Sequence, residues 1–227
     1  MEKLKFLGIG GAINIDLGGN SSFLKRNNKL LVIDVCEGAT EKLVKNNILD
    51  GIKEVYIAIT HTHYDHVAGL GTLIWYLNFK LNIKTYIIYN SKKYLNHLKK
   101  LFKTTGVDLK LIDFVKDTDF SLGDLSLKLK LTTHEPTLIC NGIMFSDKEG
   151  KYYYTGDTND IEYIKKIAKD NSVKIIYSEV SEVTYDVHIA YSDLLKIKSD
   201  KFILMHINSM KLYDQIKKDG FNIADSI

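Results

Sequence analysis

Short apolar, β-branched runs that alternate with longer amphipathic segments predict a mixed β-sheet fold with helices packed outside. The chain has 227 residues, of which 45% are hydrophobic and 26% are charged, as in ordinary globular proteins. No stretch rich in proline, glycine and serine interrupts the pattern. Together these observations predict one α/β or α+β domain spanning residues 1–227.

Strands are predicted where β-branched and aromatic residues form short runs between turn residues. These runs are residues 3–7, 22–26, 30–34, 55–59, 85–89, 109–115, 125–132, 141–146, 151–155, 175–178 and 202–205. In residues 125–131 leucines alternate strictly with polar residues, so one face of this strand is buried and the other contacts water.

Helical spacing of apolar residues predicts six helices between and after these strands. They cover residues 40–46, 69–77, 92–104, 161–170, 191–197 and 210–218. Ser91 and Asp160 precede two of them and are good N-cap residues, because their side-chain oxygens can accept hydrogen bonds from the first helical turn.

The charge distribution argues against a protein that coats nucleic acids. Of 31 basic residues only Arg26 is an arginine, and the formal net charge is +3. A large phosphate surface needs a larger positive imbalance, and one arginine allows one bidentate phosphate contact at most. We therefore expect no stable nucleic-acid complex, and we attribute the lysine excess mainly to compositional bias.

Cysteine usage and hydropathy predict a cytoplasmic protein without a membrane partner. Cys36 and Cys140 form no spacing motif, so neither a disulfide framework nor a thiolate metal site is expected. The first residues lack the apolar core of a signal peptide, and no run of 18 apolar residues could span a membrane.

The most informative segment is Thr60-His-Thr-His-Tyr-Asp-His66, directly after the apolar run 55–59. In an extended loop His61 and His63 point the same way, and Asp65 and His66 can then turn toward a second ion. Imidazole and carboxylate ligands suit Zn²⁺, Mn²⁺ or Fe²⁺. The segment therefore predicts metal binding; a solvated histidine-rich loop is the alternative.

Further ligand candidates follow other predicted strands. His134, Asp157 and His206 each lie at or just after a strand end, and His188 lies in a short loop before a helix. Ligands gathered from several strand ends are the usual way in which a sheet builds a cleft site. His97 lies within a lysine-rich helix, and we interpret it as a solvated helix residue.

On these motifs the sequence resembles the metallo-β-lactamase-fold hydrolases, and among them the ribonuclease Z-like and cyclic-nucleotide phosphodiesterases. The resemblance covers nearly the whole chain, and its most specific part is the histidine motif. The matching segments are residues 6–11, 20–22, 31–38, 61–66, 154–158 and 204–207. It implies an α+β fold, an αβ/βα sandwich of two mixed β-sheets with outer helices, and a homodimer.

The resemblance also implies two divalent metal ions, with Zn²⁺ favoured and Mn²⁺ as the alternative. One ion would be held by His61, His63 and His134, the other by Asp65, His66 and His206, with Asp157 bridging both. A bridging water acidified by both ions would attack the substrate. Asp65 would orient this nucleophile or accept its proton.

A catalytic role for His188 follows from the same resemblance. Phosphodiesterases of this superfamily carry a histidine between the bridging aspartate and the last ligand, where it contacts the scissile phosphate or protonates the leaving oxygen. Histidine suits proton transfer near neutral pH. Glu179 could orient a histidine, although Glu182 is an equally plausible candidate.

The spacing of the motifs favours a small phosphodiester substrate, most naturally a cyclic nucleotide. His134 and Asp157 are 23 residues apart, which leaves no room for the arm with which ribonuclease Z grips tRNA. Tyr64, Tyr185 and Tyr191 could stack on a base, but the chain has 14 tyrosines and half-buried structural residues are the favoured interpretation of most of them. A role like that of phage enzymes, which degrade nucleotide immune signals, is suggested by analogy only. An RNA endonuclease, a lactonase or thioesterase, and a non-catalytic metal-binding module remain alternatives.

Overall fold

The structure, a computed structural model, describes residues 3–227 and contains two six-stranded β-sheets. The first sheet is built by the first half of the chain. Its strands, in spatial order, are β1 (Lys5–Gly8), β2 (Ser21–Arg26), β3 (Lys29–Ile33), β4 (Glu54–Ala58), β5 (Lys84–Tyr89) and β6 (Asp113–Lys116).

The second sheet is built by the second half of the chain, and its strands also lie side by side in chain order. Its strands are β7 (Ser126–Thr132), β8 (Cys140–Asp147), β9 (Gly150–Tyr154), β10 (Val173–Val180), β11 (Phe202–Ile207) and β12 (Asn222–Ile223).

Both sheets repeat one pairing pattern. In each, the first three strands form an antiparallel meander, and the remaining three pairings are parallel. Parallel pairings place several carboxyl ends at the same sheet edge, where clefts form. The predicted α+β fold with two mixed sheets is confirmed.

Seven α-helices accompany the sheets within residues 3–227. They are α1 (Ala39–Lys45), α2 (Tyr64–Val67), α3 (Leu70–Trp75), α4 (Lys92–Thr104), α5 (Ile161–Lys169), α6 (Tyr191–Lys196) and α7 (Met210–Lys218). The predicted N-caps are confirmed, because Ser91 accepts a hydrogen bond from Tyr94 N and Asp160 accepts one from Tyr163 N.

The two sheets contact each other through aromatic and amide side chains. The rings of Phe6 on β1 and Tyr177 on β10 lie 5.7 Å apart, and buried Asn20 donates to the hydroxyl of Tyr154 over 2.8 Å. Around these contacts the buried residues form a continuous apolar cluster that includes residues 30–33 and 202–205. Burying this apolar surface is the main force that holds the sheets together.

Two expected elements differ from those observed, and one observed strand was not expected. The helix expected over residues 69–77 is α3, which ends in a π-helical turn (Tyr76–Lys80). The strand expected at 109–115 begins as a 3₁₀ turn, because the Asp108 side chain accepts from Lys110 N, so β6 starts only at Asp113. The two-residue strand β12 was not predicted, since so short a segment carries no periodicity.

No helix within residues 3–227 is long and apolar enough to cross a membrane.

Candidate metal centre

The histidine motif leaves the carboxyl end of β4 and changes conformation in its middle. His63 is extended, with φ −63° and ψ 151°, and it caps the short helix α2, which carries Asp65 and His66 in its first turn. The extended-loop prediction therefore holds up to His63. The turn into α2 directs Asp65 and His66 toward a second group of side chains.

The second sheet brings three further predicted residues to the motif. His134 follows β7, Asp157 follows β9, and His206 lies in β11. A tight approach positions Asp157: Gly156 has a left-handed φ of 58°, and a Cβ atom there would lie 2.7 Å from the carbonyl oxygen of Asn141. Only glycine fits this turn without displacing the backbone.

Three imidazoles form the first histidine group, His61, His63 and His134. His61 Nε2 lies 2.9 Å from His63 Nδ1, which in turn lies 3.2 Å from His134 Nε2. All three side chains belong to one cluster of potential metal ligands that also includes Asp157. Convergence of three ring nitrogens on one point is typical of a metal site, since at most one proton can lie between each facing pair.

The second group consists of Asp65, His66 and His206. One Asp65 oxygen lies 3.4 Å from His66 Nε2 and 3.3 Å from His206 Nε2. His206 has a left-handed φ of 51°, which is unfavourable for a non-glycine residue. Strain of this kind concentrates at functional sites, where the surrounding structure maintains it.

Asp157 lies between the two groups. Its carboxylate oxygens are 3.4 Å from His66 Nε2, 3.6 Å from His206 Nε2 and 3.9 Å from His61 Nε2. This central place between both groups is what a bridging carboxylate requires.

Two observations indicate that these side chains suit divalent cations. The buried atoms His66 Nε2 and Asp157 Oδ1 both face the cluster, and neither has a hydrogen-bond partner among residues 3–227. The carboxylates of Asp65 and Asp157 lie together there, and their ion-pair contacts within residues 3–227 are all to histidines. Buried negative charge of this density needs cations.

Two histidines are oriented by hydrogen bonds on the side away from the cluster. His66 Nδ1 donates to Asp34 Oδ2 over 2.8 Å, and His134 Nδ1 donates to the carbonyl oxygen of Val187 over 2.7 Å. A main-chain carbonyl cannot donate, so His134 carries its proton on Nδ1 and presents the Nε2 lone pair to the cluster. Asp34 orients the His66 ring so that its Nε2 also faces the cluster. Thr60 also donates to Asp34 from its amide and its hydroxyl, which fixes that carboxylate.

The ionisation of the two groups differs. Burial lowers the pKa of His61, His63 and His134, which keeps these rings neutral and able to bind a metal. Burial also opposes a charge on His66 and His206, but Asp157 outweighs it and raises the pKa of both.

Two of the carboxyl groups shift in opposite directions. Burial opposes ionisation of Asp65, but the adjacent His206 and His66 outweigh it and lower its pKa. Burial, followed by repulsion from Asp157, raises the pKa of Glu179.

His188 lies beside the cluster and is held by a carboxylate. Its Nδ1 is 2.8 Å from Glu179 Oε2, and Glu179 Oε1 accepts a hydrogen bond from Thr158 N over 2.6 Å. Glu182 instead contacts Ser209 and Lys211 at the surface. Of the two glutamates considered, Glu179 is thus the one that orients His188.

Three local features depart from the sequence interpretation. Tyr191 is buried and donates to Asp219, because it begins α6, so its suggested role in base stacking is wrong. His97 is half-buried, not solvated, and bonds the Thr62 hydroxyl through Nε2 over 2.9 Å. Asp34 belonged to a matching segment, but its contact with His66 was not foreseen; a carboxylate directly after a strand is the signal that pointed to it.

A cleft of about 380 Å³ opens above the cluster. Its floor includes His63, Asp65, Asp157, His188 and His206. Its volume falls within the range of small-molecule sites.

Comparison with known proteins agrees with this geometry. A family model described as "Anti-Pycsar protein Apyc1" matches residues 2–224. The Anti-Pycsar protein Apyc1 of Paenibacillus sp. (strain J14) is 27% identical over 212 residues, covering 87% of this chain and 84% of the relative. Ribonuclease Z of Sulfurisphaera tokodaii is 25% identical over 155 residues, which cover 66% of this chain and 50% of that enzyme.

Solved structures show the same fold. The metallo-β-lactamase fold protein YhfI from Bacillus subtilis has a TM-score of 0.77 at 15% identity, over 98% of this chain and 96% of its own. The short form of human tRNase Z has a TM-score of 0.69 at 15% identity, over 98% and 96%. The chain belongs to the Anti-Pycsar protein Apyc1 family and is a metal-dependent phosphodiesterase with a metallo-β-lactamase fold.

Proposed function

We propose that this enzyme hydrolyses cyclic nucleotides at a dinuclear metal centre. The observation that carries the proposal is the position of Asp157 between two separate ligand groups, with His188 beside them. Membership of a family named for an anti-Pycsar protein, together with relatives that are ribonuclease Z enzymes, supports phosphodiester chemistry.

The first histidine group would hold one ion and the second group the other, with Asp157 bridging them. Zn²⁺ suits this mixture of imidazole and carboxylate ligands, and Mn²⁺ is the alternative. When bound, two such ions acidify water and neutralise charge on phosphate oxygens. Asp65 lies beside both His66 and His206 and would orient the attacking water or accept its proton.

His188 would act on the leaving group. Its Nδ1 donates to Glu179, so the opposite nitrogen, Nε2, is the atom available to a substrate. With Nδ1 held in this way, Nε2 would give a proton to the departing ribose oxygen. Thr158 N holds the other oxygen of Glu179 and so maintains this alignment.

Structured RNA is a less suitable substrate. The 22 residues between His134 and Asp157 contain the hairpin formed by β8 and β9, which leaves no long arm in this segment. Along the described chain, residues 3–227, no lysine or arginine lines the cleft. Arg26 instead pairs with Asp124 and lies 3.7 Å from Asp147, where it joins the two sheets.

Turnover of two phosphodiesters by the metal-loaded enzyme tests this proposal. We expect hydrolysis of a 3′,5′-cyclic nucleotide and of bis(p-nitrophenyl) phosphate, and loss of both on chelation. His188→Ala should reduce turnover of the cyclic nucleotide more than that of the nitrophenyl ester, because nitrophenolate leaves without protonation. Metal content should stay unchanged.

A control variant is Phe79→Ala, which removes an exposed side chain outside the cleft. Equal losses of metal and activity in His188→Ala would make His188 a ligand instead. Absence of hydrolysis of any phosphodiester in a broad panel would refute the proposal, and cleavage of precursor tRNA in preference to small esters would assign the enzyme to RNA.

A further inference from the structure

Four large apolar side chains surround the mouth of the cleft. This rim consists of Ile13, Tyr64, Val183 and Tyr185, which are 85%, 77%, 46% and 81% exposed. All four line the same cleft as His188 and Asp157. Large apolar side chains clustered in water around a polar cavity mark a binding surface, since scattered exposure would not gather them at one opening.

The position of Tyr64 ties the rim to the metal ligands. It is the first residue of α2 and lies between His63 and Asp65, which belong to different ligand groups. The backbone of this turn is fixed, because His66 N donates to His63 O and Ala68 N donates to Tyr64 O. A molecule that contacts the Tyr64 ring is therefore adjacent to both ligand groups.

Tyr185 is held over the cleft by an unfavourable backbone. Its φ is 46° and that of Asp186 is 59°, so two consecutive non-glycine residues are left-handed. This conformation is uncommon for a bulky residue and costs free energy. Hydrogen bonds from Val187 N and His188 N to the carbonyl oxygen of Thr184 close the turn. The loop that presents the Tyr185 ring thus also carries His188.

The remaining polar groups at this side of the cleft are already paired. Asn208 donates to the Ser181 hydroxyl over 2.8 Å, and that hydroxyl donates to Val183 O over 2.6 Å. Because no lysine or arginine lines the cleft within residues 3–227, a second charged group on the substrate would find no cationic side chain there. The rim therefore suits an uncharged, flat, apolar part of a substrate.

We propose that Tyr64 and Tyr185 form the nucleobase-binding wall of the active site, by stacking on the base while the phosphate lies at the metal cluster. The inference rests on the proposed function, because it requires a substrate that joins a base to a phosphodiester. Stacking uses the face of a base and needs no hydrogen-bonding side chain. Ile13 and Val183 extend the same apolar surface.

Two substrates and five variants test the wall. The substrates are a 3′,5′-cyclic purine nucleotide and the ribose 3′,5′-cyclic phosphate that lacks a base. With the nucleotide, Tyr64→Ala and Tyr185→Ala should each raise KM roughly tenfold, with kcat within about twofold. Tyr64→Phe and Tyr185→Phe keep the ring and should restore KM. Phe79→Ala removes an aromatic side chain that is 70% exposed outside the cleft, and should change nothing.

The substrate without a base separates this inference from the proposed function. Wild type should hydrolyse it with a raised KM, and the alanine variants should raise that KM no further. If wild type hydrolyses both substrates with the same KM, the wall is refuted although the enzyme remains a phosphodiesterase. If it hydrolyses neither, nor any other phosphodiester, the proposed function itself fails.

Two further outcomes would overturn the assignment. A fall in kcat at unchanged KM would place the tyrosines in the chemical step instead of in base binding. Sedimentation showing that the alanine variants dissociate, while the phenylalanine variants do not, would make the rim an interface between copies of this chain. Unchanged sedimentation together with the KM pattern above supports the wall.

Discussion

The two ligand groups of the metal centre are built differently. His61, His63 and His134 converge through neutral ring nitrogens, and His134 is oriented by a main-chain carbonyl, that of Val187. In the second group, His66 is oriented by the side chain of Asp34 and lies beside Asp65.

This difference teaches that the two groups depend on different forces. In the first, His134 depends on a main-chain carbonyl, which a single side-chain change does not remove. The second depends on buried carboxylates, whose charges raise the pKa of His66 and His206 despite burial. A substitution can therefore weaken the second group while leaving the first intact.

Removing the charge of Asp157, which both ligand groups share, should have the largest effect on activity. It should lower metal binding by both groups and not by one alone. In Asp157→Asn the side chain keeps its shape but loses the charge that lies near His66, His206 and His61. We expect activity to fall by more than about 100-fold and metal content to drop for both ions. Mass spectrometry of metals and initial rates on one sample measure this. Retention of two ions would contradict the bridging role.

Asp34→Asn should lower metal affinity in the second ligand group but not in the first. The amide cannot accept from His66 Nδ1 and the Thr60 hydroxyl as strongly as the carboxylate does. We expect the affinity for one ion to fall roughly 10- to 100-fold while the other is retained. Competition titration with a chelator measures the two affinities.

A matched control for that change is Asp117→Asn. Asp117 is also buried and accepts from a backbone amide, that of Leu129, but it lies outside the ligand clusters. If Asp34→Asn lowers the affinity for both ions equally, or if Asp117→Asn lowers either affinity, the two ligand groups are not independent.

His97→Ala perturbs the first group indirectly. The substitution removes the hydrogen bond to Thr62, the residue between His61 and His63. Such a bond contributes about 1 kcal/mol, so we expect a small loss of stability and less than about a tenfold loss of affinity for one ion. Thermal unfolding with and without metal measures both. An effect as large as that of Asp34→Asn would contradict the view that the first group depends on a main-chain contact.

Arg26→Ala should affect neither group. Arg26 pairs with Asp124 and also donates to the carbonyl oxygen of Leu122, and its role is to join the sheets. We expect a loss of about 1 kcal/mol in the free energy of unfolding, because the pair is partly exposed. KM should not change. A raised KM would show that the single arginine contacts the substrate.

The sequence predicted most of the strands and helices, and the family resemblance predicted the members of the ligand cluster. The alternation in residues 125–131 correctly predicted the burial of Leu125, Leu127 and Leu129, but Leu131 at the end of the run is 74% exposed. Clustered histidines such as those in residues 61–66 are chemically unusual wherever they occur. Which of these residues hold the ions, and how, remains a prediction.

Other features depend on contacts between distant segments. The bond from His66 to Asp34 joins residues 32 apart, and that from His97 to Thr62 joins residues 35 apart. Nothing in local periodicity encodes such pairs. The burial of Tyr191 likewise follows from its bond to Asp219, and the short helix α2 follows from a turn that lies inside the motif.

The central claim is that two ions in this cluster support hydrolysis of a cyclic phosphodiester. Metal content and cyclic-nucleotide turnover measured on one sample, before and after chelation, test it most directly. Two ions per chain, with turnover that is lost on chelation and restored by adding metal, is the expected result. Fewer than two ions per chain in active enzyme, or turnover that survives complete removal of metal, would contradict it.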